Sequence, residues 1–128
     1  MGAEEKKAKS RYGTVNFEKR KHPRFSVDLP VEYSRTELSV EGGRAINASE
    51  GGLLLYLPEQ MGMGIHLRLK VFFTMGSELN VIETVVEVVW VDMLLEKDRG
   101  DFRTGVRFVE ISPEDMGRLK NFLRSLSG

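Results

Sequence analysis

Two short stretches hold the side chains best suited to gripping a ligand. Arg20-Lys21-His22-Pro23-Arg24 places two permanent cations four residues apart, and Asn47-Ala48-Ser49-Glu50-Gly51-Gly52 follows later in the chain. A guanidinium bonds phosphate in bidentate fashion, pairs with base edges and stacks on base faces, so two of them suit a planar, anionic partner. Pro23 disfavours helical backbone at His22. The arginines therefore lie on extended chain, where four residues span roughly 13 Å, and they grip two parts of a ligand or bend around it. The spacing alone is cheap, because Arg99, Arg103 and Arg107 repeat it. Arg103 and Arg107 read as exposed positions on one strand face.

In the second stretch, Asn47 and Ser49 project from the same face of a strand. Asn supplies donors and an acceptor and Ser a hydroxyl, enough together to read a base edge. Gly51 and Gly52 permit unusual backbone angles and close approach of a ligand. The same residue types are also ordinary turn formers, so a plain hairpin turn remains open at this point.

Catalysis finds no such support. A nucleophile needs a base beside it. The chain has two histidines, His22 in the arm and His66 pointing out of a strand, and no cysteine. Metal-ligand clusters, a phosphate-cradling loop and a dinucleotide fingerprint are equally missing from the sequence. The expectation is a binding protein rather than an enzyme, with no catalytic residue, metal or cofactor.

The elements that must position these residues are legible from periodicity. The chain has 128 residues, 41% hydrophobic and 30% charged, enough for one domain with a modest core. Residues 1–24 carry eight Lys/Arg against three Asp/Glu, and the rest eleven against sixteen, so a basic arm precedes a mildly acidic body. Residues 1–18 lack periodicity and read as a flexible basic lead-in, with one domain over 19–128. Val27, Leu29, Val31 and Tyr33 alternate on one side of a first strand, which Pro30 bends or confines to an edge. A polar turn with Gly42 and Gly43 follows, then strands over 44–49, 53–57 and 64–73. Residues 79–94 form a long β-branched run, bent or buried on both faces, and 102–109 a last strand.

The terminal stretch is helical. Ser112 is its N-cap, Pro113 opens it and Asp115 completes a capping-box pattern. Met116, Leu119, Phe122, Leu123 and Leu126 form its apolar stripe. Six strands and a terminal helix make the fold mainly β: a six-stranded antiparallel barrel with a C-terminal α-helix packed on it. Phe72 and Val81 read as exposed apolar positions that hint at an interface. No run of eighteen apolar residues spans a membrane, the N-terminus lacks an apolar signal region, and Lys6 stands where a myristoylation motif wants Ser or Thr. The expectation is a cytoplasmic protein without membrane insertion.

Taken in order, Arg20 and Arg24 followed by Asn47, Ser49 and Gly52 resemble the RxxxR and [D/N]xSxxG motifs of the PilZ domain, a bacterial receptor family for cyclic di-GMP. The similarity extends over roughly residues 18–126: DLPVEY resembles the family's first strand, VVEVVWV its long later strand, and GVRFVEISPED its last strand and helix start. Asn47 is the rarer of the two residues that the motif allows. The resemblance implies a six-stranded barrel with a terminal helix. It also implies an arginine arm that folds over the ligand, and an NxSxxG segment that bonds a guanine while its glycine leaves room. Lys19, just before the motif, bears on whether one ligand or an intercalated pair binds. Lys21 adds phosphate attraction or is merely solvated. Trp90 either presents a stacking face or belongs to the core.

On this reading the chain is a cyclic di-GMP receptor that signals to an unidentified effector protein by ordering its arm. Two alternatives stand beside it. One is a PilZ-like interaction adaptor that binds no nucleotide. The other is a barrel that binds nucleic acid through the basic arm, ranked last because residues 25–128 are net acidic and show no basic, aromatic-lined face.

Overall fold

The computed structural model describes residues 22–36, 39–93 and 102–127. In chain order they form β1 (Phe25–Ser34), β2 (Glu41–Ala48), β3 (Gly52–Leu57), β4 (His66–Met75), β5 (Glu78–Met93), β6 (Phe102–Ile111) and α1 (Pro113–Ser127). The strands close into a barrel in the order β1-β2-β3-β6-β5-β4, every neighbouring pair antiparallel. This is the six-stranded barrel with a C-terminal helix that the periodicity predicts.

Period-2 patterning fixes which side of each strand faces inward. In β4, Leu67, Leu69, Val71 and Phe73 are buried while His66, Arg68 and Lys70 are exposed. In β1, Val31 and Tyr33 are buried and Glu32 between them is exposed. Each buried Leu, Val or Phe side chain contributes about 1.5–3 kcal/mol through removal from water.

Closure between β1 and β4 is short, running only from Val31↔Val71 to Ser34↔Arg68. The first half of β1 therefore pairs with β2 alone. Pro30, which has no N–H to donate, falls in that half, and the register slips between Ser26 and Leu29. Helix α1 packs where β1 and β4 part. Its Phe122 ring lies 4.5 Å from that of Phe73 of β4, and Leu123 lines a small hollow with Phe25 of β1. Leu119, Phe122 and Leu123 are the buried helix residues, whereas Leu126 at the end of the predicted stripe is exposed.

The helix begins as its sequence predicts. Ser112 Oγ accepts the Asp115 N–H at 3.0 Å, with Pro113 in the first helical position. The Asp115 carboxylate, however, does not close a capping box on Ser112. It accepts the Glu83 backbone N–H at 3.1 Å and pairs with Arg118, fastening the helix to β5.

Three other expectations shift. Gly42 and Gly43 lie within β2 rather than in a turn, and a side chain at Gly43 would come within 2.9 Å of the Tyr56 carbonyl oxygen. Strand β5 is bent, by register shifts at Val85/Val86 and Val88/Trp90, but it is buried on its inner face only, with Val89 and Trp90 exposed. Phe72 and Val81 face each other across β4 and β5 and are half-buried; the exposed apolar residue of that hairpin is Leu79, at 68%. Among the described residues no helix is long and apolar enough to cross a membrane.

Candidate functional site

Cross-strand register brings the candidate residues into one row. On the outer face, Asn47 of β2 pairs with Leu54 of β3, Leu54 with Gly105 of β6, and Gly105 with Trp90 of β5. Three interstrand steps separate Asn47 from Trp90, about 14 Å in all. The missing side chain at Gly105 leaves the space that the Trp90 indole covers.

Two bulges create this row. The register slips between Ala45 and Asn47 and again between Val88 and Trp90. Regular alternation from buried Ala45 and Val88 would send Asn47 and Trp90 into the core. The extra residue in each strand turns them outward instead, the common way in which a bulge re-aims a side chain. The core alternative for Trp90 is thereby corrected: its side chain is 39% exposed and sits on the barrel's outer surface.

The β2–β3 turn forms the next wall. Strand β2 ends at Ala48, so Ser49 lies in the turn beside the strand residue Asn47, and both line the same cleft. The Ser49 hydroxyl accepts the Gly51 N–H at 3.1 Å, and the Ser49 N–H donates to the Gly52 carbonyl at 3.0 Å. The Gly51 carbonyl accepts the Phe108 N–H at 3.1 Å, which pins the turn to β6. The hydroxyl also donates to the Gly52 carbonyl at 3.4 Å, so of its one donor and two acceptor lone pairs one lone pair is left for a ligand while Ser49 shapes the turn.

A Cβ at Gly52 would run into the Val106 carbonyl oxygen and lie 3.0 Å from Arg107 Cα. The bare backbone at Gly52 is what lets β6 approach this closely. At Gly51 the neighbour is His22, whose Cδ2 would be 3.3 Å from an added Cβ. The root of the arginine arm thus passes over the turn.

The resulting cleft has a volume of about 270 Å³, and Arg24, Asn47, Ser49, Gly52 and Trp90 all contribute to it. Arg107 does too, although its spacing reads as an ordinary surface arginine. The missed signal was its position directly opposite Gly52. Arg107 donates to Glu87 at 2.7 Å, and Arg103 to Asp92 at 2.7 Å, so two ion pairs bracket the Trp90 indole along β5 and β6. Arg103 does not line the cleft. Lys19, Arg20 and Lys21 lie outside the described residues. A larger hollow of about 900 Å³, between β1, β4, β5 and β6, holds none of the candidate residues. Among the described residues no group of His, Asp and Glu is placed to hold a metal ion.

A cationic arm root, an amide, a hydroxyl and an exposed indole around one cleft suit a ligand with both phosphates and aromatic bases. A family model for the PilZ domain matches residues 18–125. The chain belongs to the PilZ domain family.

Solved structures share the fold. MotI/DgrA, the inhibitor of motility of Bacillus subtilis, superposes with a TM-score of 0.71 at 20% identity, over 93% of this chain and 57% of that one. The PilZ domain of YcgR from Escherichia coli, solved with c-di-GMP, gives 0.66 at 17% identity, over 86% of this chain and 92% of that domain. MrkH from K. pneumonia, in complex with c-di-GMP, gives 0.60 at 18% identity, over 85% and 52%. The chain therefore spans little more than half of MotI/DgrA and MrkH. No curated protein matches it.

Proposed function

We propose that this PilZ chain is a receptor for cyclic di-GMP that binds the dinucleotide on the outer face of the barrel and signals to an effector protein by ordering its N-terminal arm. The observation that carries the reading is the row Asn47–Leu54–Gly105–Trp90, with Arg24 and Ser49 on the same cleft. Arg20 and Arg24 supply phosphate pairing and stacking on base faces. Asn47 and Ser49 read a guanine edge, and Trp90 offers an aromatic face to a base. Gly52 belongs to the site through the turn that it allows against β6. Lys19 and Lys21 precede Arg24 in the arm and add positive charge where the phosphates arrive. The role is binding without catalysis, by a cytoplasmic domain over residues 19–128 preceded by the basic segment 1–18, which lies outside the described residues.

Calorimetric titration with cyclic di-GMP tests this, with GTP as the control nucleotide and Arg20→Ala and Ser49→Ala as variants. Binding by the wild type that both variants weaken at least tenfold supports the receptor, and the stoichiometry counts one ligand or an intercalated pair. Absence of heat and of any thermal shift at high ligand concentration overturns it and leaves the nucleotide-free adaptor.

A further inference from the structure

Trp90 is the only tryptophan of the chain, and its placement depends on Gly105, which lies outside the RxxxR and NxSxxG motifs. Gly105 is buried, and it faces Trp90 directly across the β5–β6 ladder on the outer side. A Cβ built on Gly105 would overlap the indole Nε1 and lie 2.7 and 2.8 Å from Cε2 and Cδ1. An in-plane approach along the N–H direction would leave both flanking atoms far beyond Nε1; at 2.7 and 2.8 Å they put the pyrrole face over the glycine instead. The indole occupies the space that any other residue's side chain would fill. Its other side contributes to the cleft opposite Asn47 and Ser49.

We propose that Gly105 is the positioning residue of an aromatic platform: it lets the Trp90 indole lie down on β6, so that its free face stacks on a guanine base of the ligand. Two independent features hold this pose, the bulge that turns Trp90 outward and the glycine that gives it a floor. The Glu87–Arg107 and Asp92–Arg103 pairs flank the platform along the β5–β6 ladder. An alanine at 105 lifts the ring off β6 and tilts its free face out of the cleft. The identity of the stacked base rests on the receptor reading above; the pose of the indole does not.

The experiment uses the full chain as wild type, Gly105→Ala, Trp90→Leu and the double variant. Tryptophan emission and acrylamide quenching are recorded without ligand, and calorimetry and emission during titration with cyclic di-GMP. Gly105→Ala is expected to shift emission and raise acrylamide quenching while far-ultraviolet circular dichroism stays native. Its affinity is expected to fall roughly ten- to hundredfold, the range for losing one base–aromatic stack. In the Trp90→Leu background the same change should have little further effect, which a merely structural glycine would not show. Unchanged emission and quenching in Gly105→Ala overturn the positioning role even if the wild type binds no cyclic di-GMP. If Gly105→Ala does not fold, wild-type affinity in Trp90→Leu overturns the platform. Absence of binding by the wild type, with the emission shift intact, strikes the receptor reading alone.

Discussion

The two ends of β1, β2 and β3 use polar side chains in opposite ways. At the end where β1 and β3 finish, the buried Tyr33 donates its hydroxyl to Glu59 at 2.9 Å, and Arg35 donates to the other oxygen of that carboxylate at 2.8 Å. Donors and acceptors are matched among themselves, and the cluster closes the barrel. At the end where β2 turns into β3, Asn47 makes no side-chain hydrogen bond to any described residue, Ser49 shapes the turn, and a tryptophan faces solvent. Matched polar groups stabilise; unmatched ones at a cleft wait for a partner. The contrast separates residues whose loss weakens the fold from those whose loss empties the site.

The largest effect expected at the site end is nevertheless structural. Gly52→Ala forces a methyl group into the Val106 carbonyl, a backbone atom that cannot move without breaking the β3–β6 ladder. Overpacking of this kind destabilises by about 3 kcal/mol. Thermal unfolding should show it, together with loss of ligand binding. Gly51→Ala meets the movable His22 ring at 3.3 Å and Ser49 Oγ at an ordinary 3.8 Å, and its melting temperature should stay close to wild type. Equal effects of the two changes would remove the assignment of Gly52 to strand packing.

Next come the two arginines of β6. Arg107 and Arg103 each hold a carboxylate of β5, but only Arg107 lines the cleft. Arg107→Ala should weaken cyclic di-GMP binding about tenfold, in line with loss of one charge-assisted hydrogen bond. Arg103→Ala should leave affinity unchanged. Calorimetry on both variants decides whether the ladder position, rather than the charge, selects the ligand contact.

This pair also marks how far the sequence could be read. The alternation from Val27 to Tyr33, the Ser112-Pro113 helix start and the six strands are visible because period and cap are local properties. The motif residues Arg24, Asn47 and Ser49 were legible, and they meet at one cleft. What stayed hidden depends on register. A bulge is a single extra residue, and nothing in Ala45-Ile46-Asn47 or Val88-Val89-Trp90 announces it, yet each flips one side chain across the sheet. Arg107 looked identical to Arg103 because only the pairing of Arg107 with Gly52 distinguishes them. Gly42, Gly43 and Gly52 read as turn or ligand-clearance residues, while Gly43 and Gly52 answer to backbone from neighbouring strands.

At the closed end, Tyr33→Phe should lower stability by about 1 kcal/mol, the net value of one hydrogen bond, and leave ligand affinity untouched. It should also change the alkaline limb of stability. Burial, and then the hydrogen bond and charge of Glu59, push the Tyr33 hydroxyl up from its ordinary value. A raised folded pKa makes the stabilisation complete below the unfolded value of about 10 and erodes it as pH rises further, because the unfolded chain loses the proton first. Denaturant midpoints for wild type should therefore fall above about pH 10, and those of Tyr33→Phe should fall less.

The smallest effect concerns Glu50, where the contrast between the two ends is finest. Its carboxylate lies 3.8 Å from His22 of the arm root and 4.0 Å from Lys120 of α1, at the edge of ion-pair distance, with all three side chains partly exposed. Pairs this loose contribute about 0–1 kcal/mol, unlike the hydrogen-bonded Arg35–Glu59 contact. Glu50 also stands beside a cleft assigned to a dianion, so its charge opposes the ligand more than it holds the arm. Glu50→Gln should thus leave the melting temperature almost unchanged and tighten cyclic di-GMP binding about twofold in dilute buffer. That gain should vanish near 1 M salt, where the screening length falls to about 3 Å. Weaker binding at both salt concentrations would show instead that the contact with His22 preorganises the arm, and Glu50 would then group with the matched polar residues of the closed end.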